Sequence, residues 1–313
     1  MGELRNKMDI KKAIVFPGQN SQYVGMGKDF YDKFEKARGI FNKADKILGI
    51  DISSFCFSGP QEKLKETEIQ QLAIVTTSIA IFEVFREFKD IKDFSYLSGL
   101  SLGEYTALYA SEVLTFKDTL ILVKERAKAM QKASLINPSS MFAIIGEDLE
   151  ELEKEKNDDF YISNLNSPEQ LVISVRKEKK EKVRHLMQKK GRKVIELRVS
   201  GGFHSPFMEP AKKDLEKIIN KVEFRKAKIP IVSNFSAKAV SEPEEIKKCL
   251  LNQLVYPTLW KSCIEFMIKE KVGVFFEVGP SKILRRLIKK INPSVEIINI
   301  GKVEDLERSE DGF

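Results

Sequence analysis

The sequence predicts an α/β fold: a large domain whose parallel sheet is flanked by helices in the manner of an α/β-hydrolase core, with a ferredoxin-like βαββαβ subdomain inserted in it. Three observations carry that reading. Short apolar runs alternate with helical stripes along most of the 313 residues, as they do when a parallel sheet is covered on both faces. The run Tyr96-Leu97-Ser98 leads into Gly99-Leu100-Ser101-Leu102-Gly103, a GxSxG pentapeptide set between a strand and a helix. From about 134 to 200 the pattern changes to strand, helix, strand, strand, helix, strand. The expected division is 1–133 with 201–313 for a large catalytic domain and 134–200 for the small subdomain.

Taken in order, Ala13-Ile14-Val15-Phe16 is a buried strand ending at the turn Pro17-Gly18-Gln19-Asn20, and the ends of parallel strands are where such sheets place their sites. One helix is expected over Asp29–Leu48, from the stripe Phe30, Phe34, Ala37, Phe41, Ala44 and Leu48, and a longer one over Ile69–Phe88. Gly99 and Gly103 let the next strand and helix approach each other, and that helix, Leu102 to about Ser111, points its N-terminus at Ser101. Another helix covers Phe116–Ala133. In the insert, Met141–Ile145, Phe160–Leu165, Gln170–Val175 and Lys193–Val199 are strands, and Asp148–Lys156 and Lys177–Lys190 are helices. The chain returns through Ser200-Gly201-Gly202-Phe203-His204-Ser205-Pro206, where a glycine pair suits a hinge or a close approach of backbone. Helices over Met208–Lys221, Pro243–Leu254 and Thr258–Lys269 follow, with a strand at Ile231–Asn234. A last strand, turn and helix run from Val274–Pro280 into Ser281–Lys290, and Glu304–Phe313 reads as a frayed polar tail.

Composition is that of a globular protein, 42% hydrophobic and 32% charged, with a mean hydropathy of -0.26. No apolar run is expected to reach the ~20 residues of a membrane span, and Met1–Lys12 lacks the apolar segment of a signal peptide. A soluble, cytoplasmic protein with no membrane partner is expected. Cys56, Cys249 and Cys263 are odd in number and far apart, which argues against a disulfide framework or a zinc site and for thiols in a reducing compartment. No metal is expected. The formal charge of +7 favours acidic partners. Its lysines are dispersed among glutamates, as in Lys177-Glu178-Lys179-Lys180-Glu181-Lys182, with few aromatics between, so solvated helix faces are expected and nucleic acid is not.

A serine hydroxyl is a weak nucleophile and requires a base within hydrogen-bond reach. A bare GxSxG string marks no more than a turn; the strand before it and the helix after it make Ser101 the candidate nucleophile. Of the two histidines, His185 lies in the charged stretch Lys182-Val183-Arg184-His185 and reads as a surface helix residue. His204 lies on the loop that returns to the large domain and is the candidate base. No third member of a triad is evident. Glu209 or Glu277 could orient the imidazole, and so could a backbone carbonyl or an amide side chain.

At these residues the chain resembles the malonyl-CoA:acyl carrier protein transacylases of fatty acid and polyketide synthesis. The matches run in order over about residues 12–292: Phe16-Pro17-Gly18-Gln19, Gly99 to Tyr105, Glu125-Arg126-Ala127 through Met130-Gln131, Asn164 through Asn166-Ser167-Pro168-Glu169-Gln170, Gly202-Phe203-His204-Ser205-Pro206, Gln253-Leu254 and Glu277-Val278-Gly279-Pro280. The resemblance implies that Ser101 is acylated, that His204 is its base, and that the backbone N–H groups of Gln19 and Leu102 form the oxyanion hole. It also implies that Arg126 grips the malonyl carboxylate, that the Gln253 backbone carbonyl orients the histidine, and that Asn164 belongs to the acyl pocket. A guanidinium fork fits a carboxylate at two points, and an unmatched buried arginine is costly, which discriminates against acetyl-CoA. Without the resemblance, Arg126 would read as a surface ion-pair partner on its helix. Phe203, beside His204, is expected to narrow the pocket against an α-methyl branch.

Two positions depart from the family pattern. Leu100 stands where a histidine commonly precedes the nucleophile, and Val175 where glycine often follows a strand. Leu100 leaves nucleophile and base in place and bears on acyl selectivity and rate. The implied reaction is a ping-pong transfer of malonyl from malonyl-CoA to the phosphopantetheine thiol of an acidic acyl carrier protein. The enzyme is expected to be a monomer with no bound cofactor, its substrate lying between the two domains. The alternative on the same site is an acyl hydrolase, an editing thioesterase using water as acceptor, which would not need Arg126. The rival of another class is a catalytically silent carrier-protein binding module.

Overall fold

The structure, a computed structural model, describes residues 10–146, 152 and 159–310. The chain opens with β1 (Lys11–Phe16), the helices α1 (Lys28–Lys33), α2 (Glu35–Leu48), α3 (Ile52–Ser58) and α4 (Thr67–Phe88), then β2 (Phe94–Gly99), α5 (Gly103–Ala110) and α6 (Phe116–Ile136). It continues through β3 (Ser139–Ile145), β4 (Phe160–Ser167), β5 (Gln170–Arg176), α7 (Lys180–Lys189) and β6 (Lys193–Glu196). It ends with α8 (Glu209–Ile219), β7 (Ile231–Val232), β8 (Ala239–Val240), α9 (Pro243–Gln253), α10 (Trp260–Lys269), β9 (Val272–Val278), α11 (Ile283–Ile291), β10 (Glu296–Ile300) and α12 (Val303–Glu310).

Six strands form one sheet in the order β10-β9-β1-β2-β7-β8, parallel except for the β7–β8 pair. Alternation along β1 feeds both of its faces. Ile14 and Phe16 join the cluster built with α2, α4 and α5, while Ala13 and Val15 join the one built with α10 and α11. The second sheet, β4-β5-β3-β6, is antiparallel, and its strand order within the insert is second, third, first, fourth, the ferredoxin-like arrangement. Met141, Ala143 and Val172 on one face pack into the large core. Phe142, Ile144, Ile173 and Val175 on the other face pack with Val183 and Met187 of α7. Backbone hydrogen bonds tie the small sheet to the segment just before α10: the Thr258 N–H donates to Ser163 O and the Leu165 N–H to Thr258 O, each at 2.9 Å. That parallel bridge occupies Thr258, so the helix expected from there starts at Trp260.

Several sequence expectations are corrected. Phe34 is extended (φ -117°, ψ 123°), so the single helix over Asp29–Leu48 is the pair α1 and α2. The break sets the Phe34 ring between Phe30 and Phe88, with centroids 6.0 and 6.1 Å away. Residues 296–300 form the edge strand β10, and the expected frayed tail is α12. Its start is capped: Asp305 accepts the N–H groups of Gly301 and Lys302, and Asp29 of α1 accepts that of Val303. α4 is long and apolar enough to cross a membrane by length and composition, against the expectation that no run would be. Every residue from Gln70 to Phe85 is nonetheless buried in the core. β6 stops at Glu196, β7 keeps only two residues, and α6 runs to Ile136, across the 134 boundary. The helix expected over Asp148–Lys156 lies, apart from the buried Leu152, outside the described residues, as does the end of the tail beyond 310.

Candidate active site

Ser101 occupies the turn between β2 and α5 with φ 52°, a left-handed backbone that is uncommon for serine. The turn is tight: a Cβ on Gly99 would strike the backbone of Gly103, and one on Gly103 would strike the Phe16 carbonyl of β1. Asn234, just past β7, holds the turn from the other side. Its Oδ1 accepts the Ser101 N–H at 2.6 Å and its Nδ2 donates to Gly99 O at 2.9 Å. His204 is also left-handed, with φ 55°, on the loop that leaves the small sheet. The glycines before it serve close approach, since a Cβ on Gly201 would meet Ser134 and one on Gly202 would meet Phe207 and Ser139.

The two turns bring Ser101 Oγ to 2.8 Å from His204 Nε2. The other ring nitrogen, Nδ1, lies 2.6 Å from the Gln253 backbone oxygen. A carbonyl only accepts, so Nδ1 carries the proton and donates, which leaves the Nε2 lone pair facing the serine hydroxyl. Burial pushes the imidazole pKa down to about 4, with the Gln253 carbonyl opposing the shift and the Arg126 charge adding to it. At pH 7 the ring is neutral and able to accept a proton. The group that meets the imidazole is thus a backbone carbonyl. Glu277 instead caps α11, accepting the Leu284 and Arg285 N–H groups at 2.9 and 2.8 Å, and Glu209 opens α8. His185 is exposed on α7.

Arg126 is fully buried, which its charged helix does not suggest. Nη2 donates to Ser101 Oγ at 3.0 Å and Nη1 to Gln71 Oε1 at 2.7 Å, and the guanidinium carbon lies 5.5 Å from the centre of the Tyr105 ring. These partners are neutral, and Nε has no partner among the described residues. Burial lowers the guanidinium pKa from its ordinary value, opposed by Tyr105 and Glu104. A buried cation held by neutral groups beside a serine is a place for an anion. Glu104 sits behind it. Its Oε1 accepts the Asn234 N–H at 2.8 Å and its Oε2 accepts Gln253 Nε2, which also donates to Ser101 O at 3.1 Å. Burial raises the Glu104 pKa to about 7 against those hydrogen bonds.

Ser101 and His204 open onto a cleft of about 170 Å³ between the two sheets. Gln19, Leu100, Ile283 and Leu287 line it from the large sheet's side, and Met141, Asn164 and Val172 from the small sheet, with Phe203 beside His204. The Gln19 side chain anchors its turn by donating to Gln70 Oε1 at 2.7 Å. The N–H groups of Leu100, Ser101 and Gly103 are all taken, whereas those of Gln19 and Leu102 meet no acceptor among the described residues. Two such free amides, at a strand exit and a helix start, are donors suited to an oxyanion. Ser101, His204, Gln19, Leu102, Arg126, Asn164, Phe203 and Gln253 therefore lie in or directly behind one cleft, and Glu209, Glu277 and His185 do not. Sequence reasoning left Asn234, Gln71 and Glu104 without a part. The signal for two of them was present, since a glutamine pair in the apolar α4 and an acid in the apolar α5 require partners in the core. No cluster of His, Cys, Asp and Glu that could hold a metal ion occurs among the described residues.

The acyl transferase domain family matches residues 13–306. The chain belongs to that family, and it is an acyltransferase. It is similar to the malonyl CoA-acyl carrier protein transacylase of Bacillus subtilis (strain 168), with 38% identity over 304 residues that cover 95% of each protein. Among solved structures it is similar to the malonyl CoA-acyl carrier protein transacylase of Clostridium perfringens Atcc 13124, with a TM-score of 0.89, 36% identity and 96% of both chains covered. It is also similar to a malonyl-transacylase solved in complex with its type II PKS acyl-carrier protein. There the TM-score is 0.90 and the identity 32%, over 97% of this chain and 100% of that one.

Proposed function

We propose that this chain transfers a malonyl group from malonyl-CoA to the phosphopantetheine thiol of an acyl carrier protein, for fatty acid or polyketide synthesis, through a malonyl ester on Ser101. The observation that carries the reading is the position of Ser101 Oγ, 2.8 Å from His204 Nε2 and 3.0 Å from Arg126 Nη2 at the edge of the cleft. His204 takes the serine proton as Oγ attacks the thioester carbonyl. The N–H groups of Gln19 and Leu102 hold the oxyanion, and the imidazolium returns its proton to the departing CoA thiolate. The phosphopantetheine thiol then gives its proton to His204 and attacks the ester carbonyl, and Ser101 leaves with that proton. Through both halves the Gln253 carbonyl holds Nδ1–H and keeps Nε2 aimed at the reacting atoms.

Arg126 binds the free carboxylate of the malonyl group, where a rigid guanidinium fork makes a two-point contact. Asn164 and Phe203 shape the acyl pocket, and Leu100 adds an apolar wall. A hydrolase of neutral acyl groups would have no use for a buried cation beside its nucleophile, so Arg126 favours the transferase. The large catalytic domain is taken as 1–133 with 201–313, and the small one, 134–200, closes the cleft from above. The reaction needs no bound cofactor or metal, and the enzyme acts as a monomer in the cytoplasm. Its three cysteines, all free and buried, accord with a reducing compartment, and its +7 charge with an acidic carrier.

Intact-protein mass spectrometry after brief mixing with malonyl-CoA tests the reading, with acetyl-CoA in parallel and Ser101→Ala as control. The expected result is a malonyl adduct that requires Ser101, persists in water and drains to added carrier protein. An adduct lost to water before carrier is added makes the enzyme a hydrolase, and no adduct at all restores the binding module.

A further inference from the structure

Asn234 touches none of the reacting atoms, yet it is fully buried and uses its whole side chain on the nucleophile's turn. β2 and β7 pair at Leu97 and Ile231. Beyond β7 the carboxamide of Asn234 continues that ladder, accepting from the Ser101 N–H and donating to the Gly99 carbonyl. Its own backbone is fixed on both sides, its N–H by Glu104 Oε1 and its oxygen by the Leu259 N–H, each at 2.8 Å. Glu104 also holds the side chain of Gln253, whose backbone oxygen orients His204. Asn234 is therefore the residue at which the support of the nucleophile and the support of the base meet.

We propose that Asn234 is a positioning residue that holds Ser101 in its left-handed backbone so that Oγ stays at hydrogen-bond distance from His204. The proposal rests on Ser101 being the acylated residue. A serine at φ 52° relaxes unless its surroundings over-determine it. Gly103 closes the turn by donating to the Leu100 carbonyl and Gln253 Nε2 donates to the Ser101 carbonyl, while Asn234 alone among the described side chains holds the Ser101 N–H. Release of the turn swings Oγ away from Nε2, and a misplacement of about 1 Å lowers a rate roughly 100-fold. Arg126 loses one contact in that motion, to Ser101 Oγ, but stays anchored by Gln71, and the cleft walls belong to other elements, so the effect falls chiefly on the chemical step.

Asn234→Asp separates this role from a merely structural one. At neutral pH the introduced carboxylate can accept from the Ser101 N–H but has no donor for the Gly99 carbonyl. On acidification the neutral carboxyl regains an O–H donor. The groups facing it are Glu104 and Cys263, with Arg126 beyond Glu104, and the unsubstituted protein carries all three as the reference at each pH. Single-turnover acylation of Ser101 by malonyl-CoA is followed by rapid quench and intact mass, and malonyl-CoA affinity is measured in a Ser101→Ala background, at about pH 8 and pH 5.5. The expected result at pH 8 is acylation roughly 30- to 100-fold slower with affinity within about threefold, the gap narrowing to under about tenfold at pH 5.5. A rate within about threefold of the reference at pH 8, an equal loss of affinity, or a gap that does not narrow overturns the proposal. Asn234→Ser, smaller and uncharged, is the second variant where circular dichroism shows the first unfolded. It is expected to lose rate by a similar factor at both pH values, and a reference-like rate in it overturns the proposal. A reference protein that forms no adduct overturns the reading of Ser101 itself.

Discussion

The two sheets meet at one cleft and contribute different things to it. The six-stranded sheet and its helices supply Ser101, Arg126, Asn234 and Gln253, a buried polar cluster converging on a left-handed turn. The four-stranded sheet supplies side-chain walls. It too has buried serines, but Ser163 and Ser174 bond to each other at 2.6 Å, and Ser174 donates to the Phe203 carbonyl at 3.1 Å. The histidines divide in the same way, since His204 is buried with both ring nitrogens engaged and His185 stands in solvent. What sets Ser101 apart from Ser163 and Ser174, which share its burial and residue type, is a left-handed backbone on which histidine, arginine and amide contacts converge.

The sharpest way to break that contrast is to remove the converging groups. Ser101→Ala abolishes the malonyl adduct, and His204→Ala lowers kcat by about 10⁴-fold or more, read in a steady-state transfer assay. Arg126→Ala comes next. Its kcat/KM for malonyl-CoA falls by about 10²- to 10³-fold while that for acetyl-CoA falls less, because both substrates lose the hydrogen bond from Arg126 to Ser101 Oγ and only malonyl-CoA also loses the contact to its carboxylate. Phe203→Ala, at the wall, leaves malonyl transfer nearly intact and raises methylmalonyl-CoA turnover by about tenfold, the scale of one methyl group in a pocket.

Acidification has a smaller effect near neutrality, with a definite sign. His204 has a pKa of about 4, so acylation holds level as pH falls from 7 and drops only near that value. The unfolded chain protonates this histidine near 6.5 and the fold does not until about 4, so the residue's contribution to stability declines as pH falls through that window. Glu104 and Glu277, both raised to about 7, act oppositely. Their contribution is full below 4.5 and is lost as pH rises through 7. The difference in Tm between the parent and His204→Ala, taken at pH 7 and pH 5, isolates the histidine. Smallest of all, His185→Ala changes kcat/KM by less than about twofold, as surface substitutions away from a site do.

The turn at Ser101, its pairing with His204 and the order of most elements were legible because each rests on a short-range pattern or a short list of candidates. A strand, two glycines and a helix are read within about a dozen residues, and two histidines leave few choices. The four strands of the small sheet and the helix α7 were legible for the same reason, through period-2 and period-3.6 stretches. Burial of Arg126 was not, since it depends on Gln71 of α4, 55 residues away. The tie from Glu104 to Gln253 spans 149 residues and that from Asn234 to Ser101 spans 133. The α1–α2 break failed for a related reason: the helical stripe persists through Phe34, and only its ring contact with Phe88 of α4 shows why the backbone leaves the helix there. The tail looked idle partly because it is tied to the far end of the sequence, Glu307 to Lys33 and the Val303 N–H to Asp29.

The Thr258 bridge has a mechanical consequence. Ser163 and Leu165 are bonded to the two sides of one residue, and Asn164 between them lines the cleft. Swinging the small sheet outward would tear both backbone bonds at the wall itself. The wall is therefore riveted on either side of Asn164, and the gauge of the cleft at that point is fixed by backbone and not by a side chain.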